Sequence, residues 1–397
     1  MATPLDRYFE LIDFSGNVVA SGFWSSALRA DCLYRSVYKA KPFSRRRLLQ
    51  GTSEITPFTH LTALDISDDP TLQVVWLSNS AANYRSHNHA FAAIKANGSV
   101  VTWGKAIGGG APHRQLQHLG GVVQGCGTAG AFAAIKDNGS VATWGHPGMG
   151  GDSSSVASLL MTGVVQIVAT DMAFAAIKDN GSVVTWGAWN HGGDSTAVAT
   201  LLAEGVVQVC GNTGAFAALK SNGSVVTWGD TFSSGISSLI APLLAKDVVQ
   251  VCATSVNAFA AIKANGSLVT WGSQFFGGDS SKVAPLLTEG VVQVCGTNGA
   301  CAALLANGSV VTWGDDEVGG ESSKADGSVV TWGCDDYGAD QSAVATLLSG
   351  VVQICGGEMA FAAIKADGSV VSWGDSRYGG DSSAVASLLT EAVVAIC

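Results

Sequence analysis

One segment, close to Ala-Phe-Ala-Ala-Ile-Lys-x-Asn-Gly-Ser-Val-Val-Thr-Trp-Gly, recurs along the chain with its tryptophans at Trp103, Trp144, Trp186, Trp228, Trp271, Trp313, Trp332 and Trp373. The successive gaps are 41, 42, 42, 43, 42, 19 and 41 residues. A period near 42 leaves few folds open, because one such unit cannot hide its own apolar face and must stack on copies of itself. Within a unit, Val206–Cys210, Ala215–Lys220 and Ser224–Trp228 are short β-rich runs separated by polar or glycine-containing breaks, which predicts three strands. Asn222-Gly223 joins the second and third, and this dipeptide predicts a type I′ hairpin with positive φ at both residues. A fourth element, Ala197–Leu202, follows a Gly-Gly-Asp-Ser loop and reads as an outer strand or a helical turn.

Complete hairpins begin at Ala90, Ala131, Ala173, Ala215, Ala258, Ala300 and Ala360, and Val-Val strands begin at Val122, Val164, Val206, Val248, Val291, Val351 and Val393. The two sets are offset by one, since the first hairpin lacks a preceding strand and residues 393–397 (VVAIC) lack a hairpin. The expectation is a mainly β protein, a seven-bladed β-propeller over residues 79–397 that the C-terminal strand closes by completing the first blade. The 19-residue gap marks a truncated repeat near 315–333, read as an insertion between the sixth and seventh blades.

Composition agrees with this reading. Fifty glycines, 47% hydrophobic and 13% charged residues provide turns and burial, which disorder and coiled coil do not. Gly, Ser, Asn and Asp interrupt every apolar run before the roughly 20 residues that a spanning helix needs, so no membrane association is expected. Lys and Arg number 21 and Asp and Glu 31, a net charge of −10. Residues 1–78 hold eight of each sign, so the whole deficit lies on 79–397. That opposes nucleic-acid binding and suits a basic protein partner.

Of the nine cysteines, Cys126, Cys210, Cys252, Cys295, Cys355 and Cys397 each end a Val-Val strand, a phase that predicts small buried hydrophobes. No CxxC pair or His/Cys cluster at zinc spacing occurs, and no P-loop, G-x-S-x-G or H-E-x-x-H, so no metal, no cofactor and no enzymatic activity are expected. Asp152, Asp194, Asp279 and Asp381 recur in the Gly-Gly-Asp-Ser loops as turn caps. Lys95, Lys136, Lys178, Lys220, Lys263 and Lys365 share one hairpin phase, as a solvated rim or an anion-binding crown. The start, MATPLDRYFELID, has neither a basic nor an apolar leader segment, which predicts an intracellular protein, cytoplasmic or nuclear.

The unit V-V-x-V-x-C-G, A-x-A-A-[IL], x-[ND]-G-S-V-V-x-W-G resembles the repeat of the regulator of chromosome condensation superfamily over about residues 80–397. The resemblance implies a seven-bladed propeller used as a protein-binding platform. Members serve as guanine-nucleotide exchange factors for a small nuclear GTPase, as modules of HECT-type ubiquitin ligases, as a plant ultraviolet receptor and as inhibitors. The histidine usual before the second strand survives only as His89, with Gly130, Met172, Gly214, Asn257, Gly299 and Met359 elsewhere. No long exchange-factor loop and no HECT domain are present in the sequence.

Residues 1–78 lack the period, although Phe9–Gly22 superficially copies the hairpin. Their order is a strand and turn (YFELIDFSGNVV), a helix over Ala30–Lys39, Arg47-Leu48-Leu49-Gln50-Gly51, and Thr71-Leu72-Gln73-Val74-Val75. This order resembles a small α+β, ubiquitin-like β-grasp domain. The resemblance implies a protein-binding patch at Phe14, Leu49 and Val75, with a core role for Leu49 and Val75 as the alternative. No Gly-Gly terminus follows, so conjugation is not expected. The function expected from the whole chain is a monomeric, non-enzymatic protein–protein scaffold with a link to the ubiquitin machinery. The alternative is a guanine-nucleotide exchange factor or regulator of a small GTPase.

Overall fold

The computed structural model describes residues 6–13, 18–26, 28, 30, 33, 36–37, 45–50, 53–55, 59, 61–65, 70–77, 90–94, 98–109, 119–234, 240–314, 344, 347–365 and 369–383. Two compact units divide the chain, Met1–Asn83 and Tyr84–Cys397.

In the first unit, strands β1 (Asp6–Asp13), β2 (Val18–Ser25), β3 (Arg45–Gln50), β4 (Ser53–Ile55) and β5 (Thr71–Leu77) form one sheet in the order β2-β1-β5-β3-β4. β1 and β5 run parallel at its centre, and the other pairs are antiparallel. Alternation along the strands sends Phe9, Leu11, Leu48, Leu72 and Val74 to one face. Ala30, Leu33 and Val37, spaced three and four apart as one face of a helix requires, join that core with Leu61 and Leu64.

The second unit is mainly β. Its described residues form six three-stranded antiparallel sheets and one two-stranded hairpin in a propeller-like arrangement. The first strands are Val122–Gly127, Val164–Ala169, Val206–Gly211, Val248–Ser255, Val291–Gly296 and Val351–Gly356. Each pairs with an Ala-Phe-Ala-Ala-type middle strand, and a bulge at the second valine recurs in all six. The middle strands are buried on both faces, because each sheet is sandwiched between neighbours.

Neighbouring sheets are tied by hydrogen bonds as well as by packing. The Gln208 amide donates to Val251 O at 2.7 Å and accepts from Val251 N at 3.2 Å, and Gln293 does the same with Ile354. The tryptophan near the end of the third strand stacks on the phenylalanine paired with it, with centroids 5.2 Å apart for Phe174–Trp186, except that Trp313 faces Cys301. In three sheets the indole N–H then reaches back to the preceding sheet, Trp186 to Gly150 O, Trp228 to Gly192 O and Trp313 to Gly277 O, whereas those of Trp144 and Trp271 are buried without a partner. The accepting glycines have φ between +81° and +93°, and a Cβ on Gly150 would stand 2.5 Å from Phe174 Cδ2.

Two readings of local structure need correction or completion. The Asn-Gly turns are not type I′, since among the described turn residues only the glycines have positive φ. Lys136 N donates to Ser140 O and Gly139 N to Lys136 O, so three residues close the loop as a type I turn followed by a left-handed glycine. Asn138 Oδ1 accepts from both Ser140 N and Ser140 Oγ, which makes a left-handed asparagine unnecessary. The fourth element is a 3-10 turn in the described units, as at Ser154–Leu160, Thr196–Val198 and Ser281–Leu286. Its loop is pinned to the third strand by Thr185 Oγ1 to Ser195 Oγ and Thr270 Oγ1 to Ser280 Oγ.

Among the described residues, the hairpin Ala90–Ile94/Val100–Gly104 forms a sheet of two strands. Its Phe91 and Trp103 are 55% and 50% exposed, whereas Phe174 and Trp186 are buried. At the other end of the array, a Cβ on Gly379 would meet nothing within 4 Å. The truncated repeat at 315–333 and the closing strand at 393–397 lie outside the described residues.

Candidate functional site

Phe14 lies outside the described residues. Leu49 is half-buried in β3 opposite Gln73, off the core face that holds Leu48. Val75 pairs through its backbone with Arg47, and its side chain lies outside the described residues. The described residues of this unit also expose Val18, Leu28 and the cross-strand pair Tyr8–Phe23, whose centroids are 5.2 Å apart.

In the second unit, the two ends of the sheets differ chemically. At the Asn-Gly end, Lys178, Lys220 and Lys263 donate to the carbonyls of Leu159, Leu201 and Leu243 at 2.7–3.0 Å. These lysines tie the hairpins to the loops between sheets. Asp152, Asp194, Asp279 and Asp381 accept from the backbone N–H two residues on, closing the loops as turn caps. That hydrogen bond holds Asp152, Asp194 and Asp381 below the usual carboxylate pKa. The thiols at the ends of the first strands are pushed the other way by burial, Cys126 and Cys252 up to about 12 and Cys210 and Cys295 well above their ordinary value. They are neutral packing groups rather than nucleophiles.

The opposite end is built from the links between first and second strands and the loops after each tryptophan. Antiparallel pairing puts both at one end, and His146 N to Gly130 O, Ala188 N to Met172 O, Asp230 N to Gly214 O and Ser273 N to Asn257 O tie them together. The links also join sheet to sheet: Ala129 N donates to Asp171 O, Asp171 N to Thr213 O and Thr213 N to Val256 O. A continuous surface results across four sheets.

This end is where the repeat ceases to repeat. The loops read Lys105-Ala-Ile-Gly-Gly, His146-Pro-Gly-Met-Gly, Ala188-Trp-Asn-His-Gly, Asp230-Thr-Phe-Ser-Ser, Ser273-Gln-Phe-Phe-Gly and Asp375-Ser-Arg-Tyr-Gly. Each of the described loops except His146–Gly150 displays a large side chain to solvent: Ile107, Trp189 (76% exposed), Phe232, Phe275 and Tyr378. Asp375 caps its own loop, and hydrogen bonds from Arg377 hold its carboxyl below the usual range. Sequence reading passed over these residues because a search for periodicity registers what is shared, and the signal here is the loss of periodicity. Among the described residues no group of His, Cys, Asp and Glu side chains could hold a metal ion, and no helix is long and apolar enough to cross a membrane.

No protein-family model and no curated protein matches the chain. Among solved structures it is similar to Prp20p of Saccharomyces cerevisiae, described with binding to Gsp1p and histones, at 16% identity over 64% of this chain and 72% of that one, TM-score 0.38. It is also similar to the CRINKLY WD40 ectodomain of the receptor kinase ACR4 from Arabidopsis thaliana, at 18% identity over 72% and 90%, TM-score 0.38. Human WBSCR16 aligns at 17% identity over 64% and 76%, TM-score 0.38.

Proposed function

We propose that this protein is a non-enzymatic, intracellular protein-binding scaffold whose docking surface is the variable-loop end of the sheet array. One observation carries the reading: a near-identical framework presents large exposed side chains on loops of differing sequence, Ile107, Trp189, Phe232, Phe275 and Tyr378. Variation confined to the loops with the framework held constant is how a platform acquires specificity without altering its packing. Exposed aromatic residues are also the type that anchors protein interfaces.

The reading includes a seven-bladed ring closed by residues 393–397. The sequence supports it, through seven hairpins and seven Val-Val strands offset by one; the exposed Phe91–Trp103 pair and the open Gly379 are the two surfaces that closure would have to bring together. It also includes a ubiquitin-like identity for the N-terminal unit, supported by the sheet order with parallel β1 and β5 at its centre. That unit would provide a second docking face toward the ubiquitin machinery. The test uses the full chain as bait beside a Trp189→Ser/Phe232→Ser/Phe275→Ser variant and a Leu159→Ser/Leu201→Ser/Leu243→Ser variant at the other end. Specific partners lost only in the first variant are expected; equal loss in both would refute the assignment.

The second reading, exchange-factor activity on a small GTPase, is favoured by the D/N-G-x-V-x-x-W-G repeat core. Stimulated release of labelled guanine nucleotide at catalytic protein concentrations would establish it and displace the scaffold-only view.

A further inference from the structure

Charge is segregated along the sheets that end in Trp186, Trp228 and Trp271. Lys178, Lys220 and Lys263 all sit at the Asn-Gly end. At the variable-loop end of the same sheets, the described residues 169–172, 188–192, 211–214, 229–234, 253–257 and 273–277 include Asp171 and Asp230 and no Lys or Arg. Trp189, Phe232 and Phe275 stand exposed on these same loops. The Asp171, Thr213 and Val256 backbones are hydrogen-bonded in series, so the three loops rest on one stitched base and not on independent flexible tips.

From this arrangement we propose that the variable-loop end of these three sheets binds an extended, positively charged protein segment. Its Lys or Arg side chains lie over the rings of Trp189, Phe232 and Phe275, while Asp171 and Asp230 provide the opposing charge. This rests on the scaffold reading above and names the chemistry of its partner. A ring face attracts a cation through its quadrupole, and Arg adds planar stacking on the same face. The nearest carboxylates are fixed on the links that carry the loops, and no basic side chain of these segments opposes the approach. The charge of the whole propeller-like region favours the same partner, since the net −10 of the chain lies entirely on residues 79–397. An acidic segment would be opposed by the net negative charge of residues 79–397, and a purely apolar one would gain nothing from it.

The test uses the full chain and two fluorescein-labelled 18-residue probes, one repeating Arg-Gly-Ser and one repeating Glu-Gly-Ser, titrated by fluorescence anisotropy. Expected are saturable binding of the arginine probe and no binding of the glutamate probe. Trp189→Ser/Phe232→Ser/Phe275→Ser should weaken binding at least tenfold. Asp171→Asn/Asp230→Asn should weaken it several-fold and flatten its dependence on salt. Leu159→Ser/Leu201→Ser/Leu243→Ser, at the other end, should leave it unchanged. Equal binding of both probes, loss through the leucine variant, or no arginine-probe binding at millimolar concentration would each overturn the proposal. In the last case, natural partners that still depend on the aromatic triple would leave the scaffold reading standing, which separates the two failures. All substituted aromatic and leucine side chains are solvent-exposed, and an unchanged circular dichroism melt identifies variants that remain folded.

Discussion

Replacing Gly150 with Ala tests the packing that couples one sheet to the next. Gly150 has φ +93°, and its added Cβ would lie 2.5 Å from Cδ2 and 2.8 Å from Cε2 of Phe174, a ring buried and stacked on Trp186. A left-handed alanine costs about 1–2 kcal/mol, offset by roughly 0.4–1 kcal/mol through the lost freedom of glycine in the unfolded chain. Forcing the buried ring aside adds about 1–3 kcal/mol. If the loop recoils instead, Trp186 Nε1 loses its 3.0 Å bond to Gly150 O, at a cost of about 1–3 kcal/mol. The expected loss is therefore about 2–4 kcal/mol. Gly290 is the control: its φ is +75° and its added Cβ would meet nothing within 4 Å, so the Gly290→Ala cost is strain alone, on the order of 1 kcal/mol. Urea unfolding of both variants, followed by tryptophan fluorescence and near-ultraviolet circular dichroism, measures the difference. Equal destabilisation of the two would refute the claim that these glycines are required for sheet-to-sheet contact.

Four further outcomes are expected. Asp247 is the one described non-glycine with positive φ, at the phase that holds Gly163, Gly205 and Gly290, so Asp247→Gly should raise stability by about 0.5–1 kcal/mol in the same urea assay; the exposed Lys246–Asp247 pair it removes contributes little. Thr170 Oγ1 accepts from Ala173 N and donates to His191 O, whereas the buried Thr254 Oγ1 has no partner, so Thr170→Val should lower the melting temperature and Thr254→Val should leave it unchanged or raise it. The folded Cys126 and Cys252 thiols hold their protons to about pH 12, while unfolded thiols release them near 9.0, so the folded state loses stability as pH rises through that window, by up to about 1.4 kcal/mol per unit for each thiol; Cys126→Ala should remove its share of the slope. A ring closed onto Phe91–Trp103 requires Gly379→Ala to destabilise as much as Gly150→Ala, and a cost no larger than that of Gly290→Ala would refute closure.

The three strands of each unit and the place of each turn were legible in sequence because alternation and the Asn-Gly dipeptide are local signals. The form of the turn was not, since it depends on whether Lys136 or its neighbour closes the loop and on Asn138 satisfying Ser140. The bonds from Trp186 and Gln208 to adjacent sheets join groups 36 and 43 residues apart, beyond any local pattern. Of the N-terminal patch drawn along a resemblance, only the Leu49 side chain lies among the described residues, and the meeting of Tyr8 and Phe23 across β1 and β2 has no local sequence signal. The exposed loop residues were missed because Trp189, Phe232 and Phe275 follow their tryptophans by three, four and four residues and share no sequence pattern.

The recurring register has a consequence for how the chain reaches its native state. Val206 pairs with Lys220 as Val164 pairs with Lys178 and Val351 with Lys365, so each opening strand is chemically interchangeable with the others. Discrimination falls to the short connecting links, whose brevity makes the correct partner the fastest one to find. At high dilution refolding should follow the correct order, whereas concentrated chains will exchange equivalent strands with one another and form swapped oligomers in whole-unit steps.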